Sequence, residues 1–196
     1  MATLGFKADP RIFVHNRSVI VAHPGQQHSY HTALAMQEAE LLGVYLTGFY
    51  YKPDAAAAAM LKVLPGRWRQ AAARELGRRH LAALNPDKIK SHPIVELAQV
   101  VAGRLRRSND PSLMLYRNRN FQKWTGKIVA GRRPSAVIAY DTSALEVFRR
   151  ARSVGAICIL DQTIADRGLG LELMRQEAVF HPDWADSLTM EHMEET

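Results

Sequence analysis

The chain has little that could tie it covalently or hold it in lipid. One cysteine, Cys158, occurs in 196 residues. That excludes an internal disulfide framework and a cysteine-based zinc site. Cys158 lies in the apolar run "AICIL", which predicts a buried, inert thiol rather than a nucleophile. No apolar stretch reaches the roughly 18 residues that a membrane-spanning helix needs. The opening "MATLGFKADPRIFVHNR" lacks an apolar signal-peptide core, so a cytoplasmic protein is expected. The first loop carries a single glycine, Gly25, and does not complete G-x-G-x-x-G; the P-loop pattern is absent. Internal repeats and Gly/Ser tethers are missing too.

Acidic residues are outnumbered, 19 against 26 Lys and Arg, for a formal net charge of +7. The excess is uneven. Arg67 to Arg133 carries "RWRQAAARELGRRH", "KIK", "RLRR", "YRNRNFQK" and "GRR", whereas the tail after Glu172 is acidic. A basic face of this kind suits an anionic membrane surface or phosphorylated substrates, or is simply solvated. The aromatics Trp68, Tyr116, Phe121 and Trp124 fall at helical spacings, as an apolar stripe does, and not as a base-stacking platform. Nucleic acid is not an expected partner.

Five short apolar runs alternate with helical patterns. Ser18–Ala22 reads as a first strand, His28–Leu42 as a helix ended by Gly43, and Val44–Tyr51 as a second strand. Ile89–Ser91 reads as a short third strand. Ala136–Tyr140 is a strand, Thr142–Val154 a helix closed by Gly155, and Ala156–Leu160 a last strand. Continuous apolar strands alternating with helices predict an α/β fold, a Rossmann-like doubly wound parallel sheet. One domain is expected over residues 1–196, with a helical insert at about 53–133. Within the insert, Asp54 caps an alanine-rich helix, and Arg67–Leu84, Ile94–Arg107 and Ser112–Ala130 form further helices.

Ligands of open α/β sheets bind beyond the carboxyl ends of the strands. Three such ends are polar here: "AHPGQQHSYH", "AYDTSALE" and "LDQTIADRG". In the first, Gly25 allows close approach of a backbone or ligand. Gln26 and Gln27 pair donors with acceptors, as sugar hydroxyls require. His28 and Ser29 lie at a helix start, which favours an anion or an oxygen-rich group. His23, His28 and His31 have the spacing for a metal, yet no carboxylate follows before Glu38, so no metal is expected. In the second, Asp141 or Thr142 is a candidate N-cap, with Glu146 completing a capping box; Ser143 lies beside them. In the third, Asp161 directly follows a buried strand and is placed to accept from a hydroxyl or to order Gln162. Asp166 and Arg167 are a candidate ion pair.

Three segments, "AHPGQQHSYHTALAMQEAELLGVYLTGFYY", "VIAYDTSALEVFRRARSVG" and "CILDQTIADRG", are followed by "EAVFHPDWADSL". Together, in that order, they resemble the N-terminal half of family 4 glycosyltransferases, in particular a bacterial subgroup with a His-Pro-Gly-x-Gln-His opening. The resemblance covers most of the chain and is weakest in the insert. It implies a GT-B architecture, with two Rossmann-like domains facing a cleft. The N-terminal domain holds a glycan or lipid-linked acceptor. The C-terminal one holds a nucleotide-sugar donor, which serves as co-substrate without a further cofactor. Transfer would retain the anomeric configuration. The implied catalytic residues are His28 and Asp141. Gly25, Gln26, Gln27, His31, Thr142, Ser143, Asp161 and Gln162 are the implied substrate-binding residues.

Many members of that family carry a histidine after the strand matched by "VIAY"; here Tyr140-Asp141 stands there, and Asp141 is the residue left to take its role. The donor-binding half does not follow "MEHMEET" in this sequence, so a C-terminal domain acting in cis or in trans is expected, and little transfer by these 196 residues alone. The basic helices would meet an anionic membrane surface. A non-catalytic α/β module that binds a carbohydrate or phosphorylated ligand is the alternative reading.

Overall fold

Val19–His23 is buried along its whole length, as a strand covered on both faces must be. It is the centre of the fold. The structure is a computed structural model, which describes residues 18–25, 28–53, 62, 65–93, 111–162 and 166–183. In chain order these form β1 (Val19–His23), α1 (Ser29–Glu38), β2 (Leu42–Thr47), α2 (Gly66–Gly77), β3 (Ile89–Ser91), α3 (Pro111–Arg132), β4 (Ala136–Tyr140), α4 (Leu145–Ser153), β5 (Ile157–Asp161) and α5 (Arg167–Phe180). The strands lie in the order β3-β2-β1-β4-β5, and every pair is parallel. This is an α/β, Rossmann-like sheet, as the alternation of apolar runs predicts.

Side chains alternate across the sheet into two apolar clusters. Val19, Val21, Tyr45, Ile89, Ile138 and Tyr140 pack on one face, against Tyr30 and Ala33 of α1. Ile20, Ala22, Val44, Leu46, Val137 and Ala139 pack on the other, against Phe121 and Val129 of α3 and Val147 and Ala151 of α4. The chain moves outward from β1 to β2 and β3, then returns to β4 and β5. The switch point of the topology therefore lies between β1 and β4, where α/β sheets open a crevice at their carboxyl edge.

Several boundaries differ from the sequence reading. Helix α1 stops at Glu38, and the chain turns at Glu40 with φ 59°. Gly43 does not end the helix; it lies inside β2, where a Cβ would come 2.8 Å from Ser18 Cβ. Its job is close approach between neighbouring chain segments. Strand β2 ends at Thr47 and not at Tyr51. Neither Asp141 nor Thr142 caps α4. Its N-cap is Ala144, and the Glu146 N–H donates to Gln122 Oε1 at 2.9 Å, so the capping box is replaced by a side chain from α3. Gly155 closes α4 as expected, with φ +80°. Helix α2 is shorter than Arg67–Leu84, while α3 runs two residues beyond Ala130. The alanine-rich helix at 54–60 and the helix expected at Ile94–Arg107 lie outside the described residues.

Phe121 is buried and stacks against the half-buried Trp124 at 5.8 Å, which makes them core material. Tyr116 is exposed and takes no part in that stripe. Cys158 is half-buried and packs on the second cluster.

The chain divides into two units, Met1–Asp161 and Gln162–Thr196. In the second, Asp166 is the N-cap of α5 and accepts from the Leu169 N–H at 3.1 Å. That is a different use for Asp166 from a pair with Arg167. Among the described residues, no helix is long and apolar enough to cross a membrane.

Candidate functional site at the carboxyl rim

The last residue of each strand is polar: Ser91, Thr47, His23, Tyr140 and Asp161. The register sets them level. Thr47 is opposite both Ser91 and His23, and Tyr140 is opposite Asp161. Because side chains alternate with period two, all five lie on the face that also carries Val21, Tyr45, Ile89 and Ile138, the face covered by α1. The result is a polar row across the carboxyl rim, with His23 and Tyr140 on either side of the switch point.

His23 is 6% exposed. Its Nδ1 accepts the Gly25 N–H at 3.0 Å, and its ring meets Tyr140 edge-on at 4.8 Å. A Cβ at Gly25 would sit 3.2 Å from His23 Cε1, so glycine is what lets that amide reach the ring. Burial holds the His23 pKa below its ordinary value; the charge of Arg117 works the same way, and Asp141 and Asp161 oppose it. With Nδ1 used as an acceptor, the neutral ring carries its proton on Nε2 and can offer it as a donor.

Tyr140 is fully buried and its hydroxyl donates to Thr32 Oγ1 at 2.8 Å. Burial pushes the phenol pKa well up, and the adjacent Asp161 carboxylate, within hydrogen-bonding reach, adds to this. Tyr140 therefore stays a neutral hydroxyl in the physiological range, and it links β4 to α1. Thr47 Oγ1 donates to the Gly25 carbonyl at 3.5 Å, which ties the first loop to β2. Ser29 and Tyr45 share a buried hydrogen bond of 2.8 Å directly below.

After β4 the chain makes a tight turn, in which the Ser143 N–H donates to the Tyr140 carbonyl at 3.2 Å. Thr142 sits in it with φ +66°. A β-branched residue rarely adopts that left-handed conformation, which costs about 1 kcal/mol or more. Asn118 of α3 braces the turn, donating from Nδ2 to Thr142 Oγ1 at 3.4 Å. Arg117 in turn donates to Asn118 Oδ1 through Nε and Nη2.

The residues singled out from sequence fall as follows. Gly25, Asp141 and Asp161 are at the rim and half-buried, and both acids act on the electrostatics of His23. Ser143 is buried and bonds to the Tyr140 carbonyl, a turn-forming role. Thr142 is exposed on the strained turn. His28 is the exposed N-cap of α1; its side chain makes no capping bond, while its carbonyl accepts from Thr32. His31 is exposed on α1. Gln162 is exposed and begins the second unit. Gln26 and Gln27 lie outside the described residues. No group of three metal-ligating side chains occurs among the described residues.

The chain matches no protein-family model, no curated protein and no solved structure.

Sequence reading weighed His23 only as a metal ligand and gave no rim role to Tyr140, Thr32, Thr47, Asn118 or Arg117. The first four had a usable signal. Thr47, His23 and Tyr140 are the polar or amphipathic residues ending apolar runs, and Thr32 is one helical turn after His28. Arg117 and Asn118 arrive from a helix distant in sequence, and nothing local marks them.

Proposed function

We propose that this chain is the acceptor-side domain of a retaining glycosyltransferase of GT-B architecture. It would hold a glycan or lipid-linked acceptor at the rim, facing a nucleotide-sugar donor bound by a C-terminal domain. The supporting observation is the polar row: the three segments that resemble family 4 glycosyltransferases carry strands whose polar last residues, His23, Thr47, Tyr140 and Asp161, lie level at one carboxyl edge. A sugar offers several hydroxyls and no charge. The rim has matching chemistry, with a neutral imidazole, a neutral phenol that does not ionise in the physiological range, and two carboxylates to accept from hydroxyls. On this reading His28, exposed at the start of α1, and the half-buried Asp141 would touch the reacting sugar. A retaining transfer also needs the leaving diphosphate stabilised and both substrates positioned, which is work for the donor-binding domain.

Saturation-transfer NMR of the chain with a panel of oligosaccharides and nucleotide sugars tests this. Binding of at least one oligosaccharide is expected, weakened in His28→Ala and Asp141→Asn, with no sugar transfer by the chain alone. Absence of any carbohydrate binding, or equal binding by both variants, would overturn the rim as an acceptor site. Robust turnover by the isolated chain would overturn the division of labour.

A further inference from the structure

A groove of about 440 Å³ runs between α3 and α4, on the face of the sheet away from α1. It is lined from α3 by Gln122, Lys123, Gly126 and Lys127, and from α4 by Glu146 and Arg150. Its volume is that of a small-molecule site. The charge along it is one-sided. Lys123, Lys127 and Arg150 are exposed, and none has an ion-pair partner among the described residues. Glu146, the acid in the lining, is already paired with Arg149 of its own helix.

Two features turn this from a solvated basic face into a shaped one. Gln122 is 8% exposed, and its Oε1 accepts the Glu146 N–H at 2.9 Å. Only the oxygen of an amide can accept, so this bond fixes which way the group faces. Nε2 is left with donors that have no partner among the described residues. Gly126 is the second feature. A Cβ there would come 3.0 Å from Arg150 Cγ, so glycine lets the Arg150 stem lie against α3. The planar guanidinium at its end is suited to a forked, multi-oxygen anion.

We propose that the α3–α4 groove binds the phosphoryl group of a small phosphorylated ligand. Lys123, Lys127 and Arg150 neutralise the charge, and the Gln122 amide donates from the wall. Three cations against an already paired carboxylate exceed what a single carboxylate ligand needs. They match a phosphate, which carries about −1.5 to −2 near neutral pH and three acceptor oxygens. Among the described residues the lining contains no aromatic side chain on which a base could stack, which disfavours single-stranded nucleic acid. The carbons of Gly126, Ala130 and the long basic stems leave room for an uncharged remainder of the ligand. This inference is independent of the glycosyltransferase reading. A free metabolite and a phospholipid headgroup present the same phosphoryl group, so the experiment must separate them.

The test is a two-dimensional amide NMR titration of the full chain with inorganic phosphate, at constant ionic strength against chloride. Shifts centred on Gln122, Gly126 and Glu146 are expected. Affinity should fall about tenfold or more in Arg150→Glu and in Lys127→Glu. Lys127 is exposed, so Lys127→Glu should melt with wild type; Arg150→Glu also shortens the stem lying on Gly126, and either variant suffices if the other does not fold. A flotation arm uses vesicles of phosphatidylcholine alone and of phosphatidylcholine doped with phosphatidylglycerol. Groove shifts with flotation only on the anionic vesicles, abolished by Lys127→Glu, support the site with a lipid headgroup as source. Groove shifts without flotation support it with a soluble ligand. Three results overturn it: no shifts with phosphate, the same shifts with chloride, or phosphate and vesicle binding unaffected by both variants.

Discussion

Replacing His23 tests the rim where its parts depend on one another most. In His23→Ala the Gly25 N–H loses its acceptor, a cost of about 1 kcal/mol for a half-buried amide. The edge-on contact with Tyr140 at 4.8 Å is lost, about 1 kcal/mol more. Removing a nearly buried ring forfeits roughly another 1 kcal/mol of burial. The total, about 3 kcal/mol, lowers the melting temperature by roughly 6–12 °C in a chain of this size. His23→Asn places an acceptor oxygen where Nδ1 was and should keep the Gly25 bond. It loses about 1–2 kcal/mol, or roughly 2–8 °C. The two variants also differ from wild type in pH dependence. Burial lowers the His23 pKa from 6.5, so near that pH the unfolded chain takes up a proton that the folded one refuses. The stability of wild type is complete above that value and falls as pH drops below it, down through the folded pKa. Neither variant has this proton, so the advantage of wild type over each should shrink on acidification. Thermal melts of all three proteins from about pH 8 to about pH 5 provide the measurement. Equal losses in Ala and Asn would refute the Gly25 bond as a support. A wild-type advantage that stays constant with pH would refute a neutral buried ring.

Other positions make independent tests. Gly43→Ala forces a Cβ to within 2.8 Å of Ser18 Cβ and should cost about 1–3 kcal/mol, visible as a lower melting temperature; an unchanged melt would mean the β1–β2 edge yields freely. Thr142→Asn puts a residue tolerant of the left-handed region at φ +66° and should stabilise by about 0.5–1 kcal/mol in chemical denaturation. Tyr140→Phe keeps the stack on His23 but deletes the bond to Thr32 and the hydroxyl next to Asp161. It should cost about 1 kcal/mol and weaken oligosaccharide binding by NMR; wild-type binding would leave the hydroxyl a purely structural tie.

The sheet was readable because its strands are short, apolar on both faces and separated by helical periods. "VIVA", "AVIAY" and "ICIL" admit few other interpretations, and β3 was found at Ile89–Ser91 despite being three residues long. Boundaries failed where one residue type serves two purposes. Gly43 looked like a helix terminator and is a packing glycine inside a strand, while Glu40 supplies the positive φ that ends the turn. Asp141 and Thr142 looked like caps, but a glutamine 24 residues earlier satisfies the Glu146 amide instead. Local chemistry cannot reveal such long-range substitution. At the rim, the conspicuous polar side chains are those after each strand. The buried ones, His23 and Tyr140, hid as the last letters of apolar runs.

The polarity of those last letters has a direction, and the direction separates a site from an ordinary strand end. A strand that merely ran out into water would turn polar on both faces. Here the residues one step back, on the opposite face, are Leu46, Ala22, Ala139 and Leu160, with Lys90 alone polar at the short outer strand. Apart from Lys90, the polar strand ends share the one face of the sheet on which α1 packs. There Thr47, His23 and Tyr140 are buried, which costs free energy unless each polar atom finds a partner. Thr47 and Tyr140 find theirs in the Gly25 carbonyl and Thr32, and His23 Nδ1 finds the Gly25 amide. Two of these three bonds converge on one glycine of the first loop. The row thus holds that loop by its backbone, with His28 exposed and Asp141 and Asp161 half-buried at the same edge. Apolar residues at Thr47 and His23 would fill the same space more cheaply, but the loop would then lose the bonds that fix where Gly25 stands.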